Sequence, residues 1–67
     1  MNIGISTKAA QKESRISSAE LARRLNTSPQ NVTHIRRTKN PTIQRVMDLA
    51  NVFDLSVDDF IKKGIIS

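Results

Sequence analysis

The chain has 67 residues, 37% of them hydrophobic, and carries eleven Lys and Arg against six Asp and Glu, a net charge of +5. That length sits near the lower limit for a self-supporting core and argues against a buried enzyme cleft, while the absence of Cys excludes disulfides, thiolate catalysis and Cys-based zinc fingers. The positive balance favours a polyanion, nucleic acid or an anionic membrane surface, without choosing between them.

No repeat, low-complexity stretch or long linker interrupts the sequence, which reads as a single domain over residues 1–67 with a core of about 3–62. Residues 3–14 read as a first helix with a thin inward stripe of Ile3, Thr7 and Ala10, weakened by Gly4. Ser17 followed by Glu20 is a capping-box pattern, in which the hydroxyl accepts from a free backbone N–H and the carboxylate reaches back. A second helix therefore starts at Ser18. Leu21, Ala22 and Leu25 fall on one of its faces, and Asn26, suited to the left-handed conformation past a helix end, stops it near Leu25.

Ser28 supplies the next cap, and Pro29 occupies the one helical position where a missing N–H costs nothing. The third helix runs to Arg37. At about 100° per residue Val32 and Ile35 point inward together, while Gln30, Thr33, His34 and Arg37 cluster on the opposite side. Asn40-Pro41 breaks the pattern, and Thr42 caps a fourth helix with Ile43, Val46, Met47, Ala50 and Phe53 on one stripe. Ser56 with Asp59, Val57, Phe60 and Ile61 inside, Lys62 and Lys63 last and Gly64 as stop define a short fifth helix whose charges agree with the helix dipole.

Leu21, Ala22, Leu25, Asn26, Val32 and Ile35 occupy the spacing of a helix-turn-helix, and here the chain resembles the phage-repressor type, the Cro and cI-like or XRE family. Downstream, NPTIQRVMDLANVFDLSVDDFI is similar to that family's last two helices. The resemblance spans residues 3–61 and implies an all-α, lambda-repressor-like fold of five short helices, with the second and third as the helix-turn-helix. Four departures from the family pattern bear on function. Asn26 stands where Gly is usual, and Ser18 where a phosphate-contacting Gln commonly opens the second helix. Gln11 and Arg36 take the places of a frequent Arg–Glu pair, which should be absent here, leaving Glu13 as an alternative partner for Arg36. Pro29 cannot donate a backbone bond or read a base, so reading shifts to Gln30 and later residues.

Four residues are candidates for base reading. The Gln30 amide fits adenine N6 and N7, and similar members often read bases from this position. Asn31, at the edge of the exposed face, either contacts DNA or bonds locally within the first turn. The Thr33 methyl suits thymine, against the alternative of exposed filler. His34 has no Cys or carboxylate constellation beside it, so base or backbone contact is favoured over metal binding. Next to phosphates it implies binding that strengthens as pH falls through neutrality.

Arg37, Lys39 and Asn40 follow the third helix as candidate phosphate clamps, with Thr42 donating from the next helix start. Ser17 and Ser18 are candidates for the opposite phosphate wall, and Ser28 is a cap first and a phosphate contact second. Arg36 lies toward the flank, while Arg23 and Arg24 supply general attraction. The bland alternative for all these charges is a solvated face.

A two-fold dimer reading half-sites about 34 Å apart gains the affinity a single helix lacks, so a homodimer is expected at least on DNA. Val52, outside the main stripe of the fourth helix, and Ile65 and Ile66 are candidate dimer contacts; Ile65 and Ile66 folding back on the core is the alternative. No cofactor, small-molecule ligand or membrane partner is indicated. No apolar run approaches the roughly 20 residues that cross a bilayer and the N-terminus lacks a signal-peptide core, so a cytoplasmic location is simplest. The leading function is a sequence-specific double-stranded DNA-binding transcriptional regulator, most simply a repressor. A protein-interaction module of antitoxin-like or anti-repressor type on the same fold is the alternative, distinguished by an apolar groove where this chain has a polar third helix. RNA binding is disfavoured, since the two Phe read as buried and leave no stacking platform, and no acid, base and nucleophile converge for an enzyme.

Overall fold

Each helix starts on a side chain that accepts a backbone N–H from three residues ahead. In the computed structural model, which describes residues 2–65, Asn2, Ser17, Ser28, Thr42 and Ser56 accept from Ile5, Glu20, Asn31, Arg45 and Asp59 at 3.1 to 3.3 Å. The helices are α1 (Ile3–Ser14), α2 (Ser18–Arg24), α3 (Pro29–Arg37), α4 (Ile43–Val52) and α5 (Val57–Lys62), with no strand among the described residues. Four of the five caps are those the sequence predicts, because capping is local chemistry. The capping box at α2 forms only by half. Ser17 accepts from Glu20, but the Glu20 carboxylate turns forward to Arg23 and Arg24, since two charged donors outweigh one neutral N–H.

Helix ends are marked by residues with positive φ, none of them Gly: Arg15 (59°) after α1, Asn26 (56°) after α2 and Asp54 (56°) after α4. Asn26 is the one the sequence predicts. Gly64 has no positive φ and serves differently from the expected stop. A Cβ there would collide with the Asn2 carbonyl oxygen and Ser6 Oγ, so Gly64 lets the end of α5 close against the start of α1.

The core comprises Ile3, Ala10, Leu21, Ala22, Val32, Ile35, Val46, Leu49, Ala50, Phe53 and Phe60, with Phe53 and Phe60 stacked at 6.1 Å between ring centroids to join α4 to α5. Helix α1 packs on α3 and α5 and buries more than the predicted stripe: Gly4, Ser6 and Gln11 join Ile3, Thr7 and Ala10. Its small polar groups are satisfied by backbone carbonyls, Thr7 Oγ1 donating within the helix to Ile3 at 2.8 Å and Ser6 Oγ across to Ile61 of α5 at 3.3 Å. Gly4, read from the sequence as a weakness, is a contact point, because a Cβ would strike the Arg36 carbonyl oxygen. The Ile3 and Gly4 N–H groups donate to the Lys39 and Thr38 carbonyls, both at 2.9 Å, so the free N-terminal donors of α1 hold the loop after α3.

Helix α4 differs from its predicted stripe. Val46, Leu49, Ala50 and Phe53 face inward, while Ile43 is 73% and Met47 50% exposed. At about 100° per residue Leu49 falls beside Phe53 and Val46, whereas Met47 lies roughly 110° from the centre of that stripe. Val57 is also exposed rather than inside, and Glu13 pairs with Lys63 rather than Arg36, tying α1 to the end of α5.

Candidate nucleic-acid interface

The angle between α2 and α3 is fixed by a four-residue turn, Leu25 to Ser28. Asn26 N–H returns to the Arg23 carbonyl at 3.1 Å and Thr27 N–H to the Ala22 carbonyl at 2.8 Å, while Ala22, 2% exposed, lets α3 approach α2 closely. The Ser28 cap and Pro29 then start α3, whose Val32 and Ile35 are 0% and 4% exposed. Gln30, Thr33, His34 and Arg37 are all exposed, the face the spacing predicts. Asn31 is half-buried and its Nδ2 donates to Thr27 Oγ1 at 2.9 Å, so one donor is committed to the turn. Thr33 Oγ1 donates back to the Pro29 carbonyl at 3.3 Å, which leaves its methyl as the outward contact.

Two clefts flank this ridge. The first, about 210 Å³, lies between α1 and α3 and is lined by Lys8, Thr33, Arg36 and Arg37. Ser18 adjoins it, its Oγ accepting from Arg36 Nη1 at 3.5 Å and Gln11 Nε2 at 3.4 Å. Gln11 and Arg36 therefore meet at a shared hydroxyl where the family pattern has an ion pair. The second cleft, about 200 Å³, runs toward the start of α4 and includes Asn31, His34, Thr38, Thr42 and Arg45. Neither contains an acidic residue, and from residue 21 to 47 the chain has six Lys and Arg and no Asp or Glu.

The candidate phosphate residues fall around this ridge. Ser17, Ser28, Thr42, Lys39 and Asn40 are exposed and Ser18 half-buried. Ser17, Ser28 and Thr42 each already accept a capping bond; a hydroxyl keeps its own hydrogen to donate, so capping leaves them able to bond a phosphate oxygen. Arg23 and Arg24 are instead paired with Glu20, whose carboxyl they hold below its ordinary value of 4.5, Arg24 foremost. The sequence reading missed Lys8 and Arg45. Lys8 reaches the site only through the packing of α1 on α3, whereas Arg45, three residues after the Thr42 cap, was within reach of the capping pattern.

The candidate dimer contacts are not equivalent. Val52 is half-buried and packs against the core, Ile65 is 58% exposed, and Ile66 lies outside the described residues. The other exposed large apolar side chains among the described residues are Ile43, Met47 and Val57.

A helix-turn-helix whose second helix turns a polar, basic face outward between two acid-free clefts has the architecture of a double-stranded DNA-binding domain. The chain belongs to the Cro/C1-type HTH DNA-binding domain family, whose model matches residues 10–62. It is a DNA-binding regulator rather than an enzyme. No significant match was found among curated proteins, and none among solved structures. No helix of the described residues is long and apolar enough to cross a membrane.

Proposed function

We propose that the protein is a sequence-specific transcriptional repressor that lays α3 in the major groove of a double-stranded operator and blocks transcription by occupying it. The observation that carries this reading is the division of α3, with Val32 and Ile35 buried and Gln30, Thr33, His34 and Arg37 exposed between two acid-free clefts. Gln30 pairs with adenine, the Thr33 methyl meets thymine, and His34 and Asn31 contact bases or the adjoining backbone. Ser17 and Ser18 hold one phosphate wall and Lys39, Asn40 and Thr42 the other, with Arg37 between ridge and backbone and Ser28 adding a hydroxyl at the helix start. Residues 1–67 act as one domain, in the cytoplasm. Two copies bind as a homodimer: the longest extent of 30 Å lets one copy sit on each of two half-sites about 34 Å apart. Exposed Ile65 offers apolar surface for the contact between copies.

The decisive experiment is selection of bound duplexes from a random DNA pool, repeated with Gln30→Ala and His34→Ala. A palindromic consensus that changes with either substitution supports direct reading by α3. Equal affinity for all duplexes, indifferent to both substitutions, refutes it. Lys39→Ala should weaken every duplex alike and lower the salt slope by about one unit.

A further inference from the structure

We infer that the cleft between α1 and α3 is a phosphate-group site which the DNA backbone fills, making Lys8 of α1 part of the binding surface. Lys8, Arg36 and Arg37 converge on one opening with Thr33 between them, and no carboxylate lines it. The ion pairs among the described residues lie elsewhere, joining Glu20 to Arg23 and Arg24 and Glu13 to Lys63. Three cationic residues lining one space with no counter-charge give it a positive potential that favours an anion. At about 210 Å³ the cleft is several times the roughly 30 Å³ of one liquid water, enough for a tetrahedral phosphate group.

The guanidinium of Arg36 is loosely held. Its Nη1 reaches Ser18 Oγ only at 3.5 Å, and its Nε is buried with no acceptor, as Gln11 Oε1 beside the same hydroxyl is buried with no donor. A buried charged donor without an acceptor is costly, so little opposes a swing of this group toward an incoming oxyanion. Ser18 Oγ accepts from both neighbours and keeps its hydrogen to donate outward.

Thr33 and Arg37 belong both to this cleft and to the outward face of α3. An anion held there lies at the side of the reading helix, where the backbone edging a major groove must run. In this respect the inference rests on the proposed function. The shared chemistry is a phosphate oxyanion, and its two sources, a DNA backbone and a free inorganic anion, are separable.

The test measures binding to a single duplex across a salt series, together with thermal unfolding in sulfate against chloride at equal ionic strength, for wild type, Lys8→Ala, Arg36→Gln and Lys12→Ala. Lys8 and Lys12 are exposed residues of α1, and Lys12 does not line the cleft. Lys8→Ala is expected to lower the salt slope by about 0.9 and to weaken binding about eightfold at 0.1 M salt, the ranking of duplexes being kept. Lys12→Ala should leave the slope near that of wild type. Sulfate raises the midpoint of every variant by exclusion from the surface, so the informative quantity is the additional rise in wild type, about 4 °C or more, that Lys8→Ala and Arg36→Gln both lose. An unchanged slope in Lys8→Ala with duplex binding intact overturns the inference and leaves the proposed function standing. Wild type that binds no duplex yet loses its sulfate response on Lys8→Ala overturns the proposed function and the DNA source, and retains an anion site for a free phosphate.

Discussion

Replacing Gly4 by Ala separates two opposite expectations. In an exposed helix interior the change stabilises, because Gly is about 1 kcal/mol worse than Ala. Here the new Cβ would strike the Arg36 carbonyl oxygen and crowd that of Thr38, and both are backbone atoms that cannot rotate away. Helix α1 must lift from α3, at an overpacking cost of about 1–3 kcal/mol. Lifting also strains the Ile3 and Gly4 N–H bonds to Lys39 and Thr38, each worth about 1 kcal/mol. After subtracting the propensity gain, Gly4→Ala should be destabilising by about 2 kcal/mol, a fall in midpoint of roughly 8–16 °C for a domain of this size. Thermal and urea unfolding followed by circular dichroism measures it. Because the same bonds position the loop carrying Lys39 and Asn40, duplex binding should weaken even where the variant is fully folded. A midpoint equal to or above that of wild type would refute the close approach of α1 to α3.

Other consequences are more local. Leu49→Ala should cost about 2–5 kcal/mol as a cavity in the core, whereas Met47→Ala, half exposed, should cost under about 1 kcal/mol; equal costs would reject the observed stripe of α4. Arg15→Gly should stabilise by about 1 kcal/mol in urea unfolding, since Arg15 sits at φ 59° where Gly carries no Cβ penalty, and destabilisation would mean that conformation is not adopted. The Glu20 carboxyl is held below 4.5 by Arg24 and Arg23, so its stabilisation is fully present above that pH and is lost as pH falls through the lowered folded value. Glu20→Gln should therefore be less stable than wild type at neutral pH, with the difference closing in acid; a constant difference down to low pH would dismiss the pairing.

The helix starts and the exposed face of α3 were legible because they rest on chemistry confined to a few neighbouring residues. Ser17, Ser28, Thr42 and Ser56 announce themselves by type and by their immediate neighbours in the chain, Asn26 by its tolerance of positive φ, and the two sides of α3 by spacing alone. In α4 the local rule was balanced: about the stripe of Ile43, Val46, Ala50 and Phe53, Leu49 and Met47 lie equally far to either side, and only the exposure of Ile43 swings the buried face toward Leu49. Arg15 was illegible in a stronger sense, because nothing about its type announces a left-handed stop and only the fold on both sides holds it there, whereas Asp54, like Asn26, is of a type that tolerates positive φ.

The features that stayed hidden depend on contacts between distant segments. Gly4 looks like a flaw until Arg36 and Thr38 are laid against it, Glu13 finds Lys63 fifty residues away, and Lys8 gains meaning only beside Arg36 and Arg37. That difference carries through to function. The residues of α3 proposed to read bases can be nominated from one helix, but the proposed phosphate contacts come from α1, α2 and the loop before α4. Their composition depends on how tightly α1 seats on α3, and Gly4 governs that seating. A change at Gly4 should therefore disturb affinity through those contacts while leaving sequence preference, which the proposed function assigns to α3, largely in place.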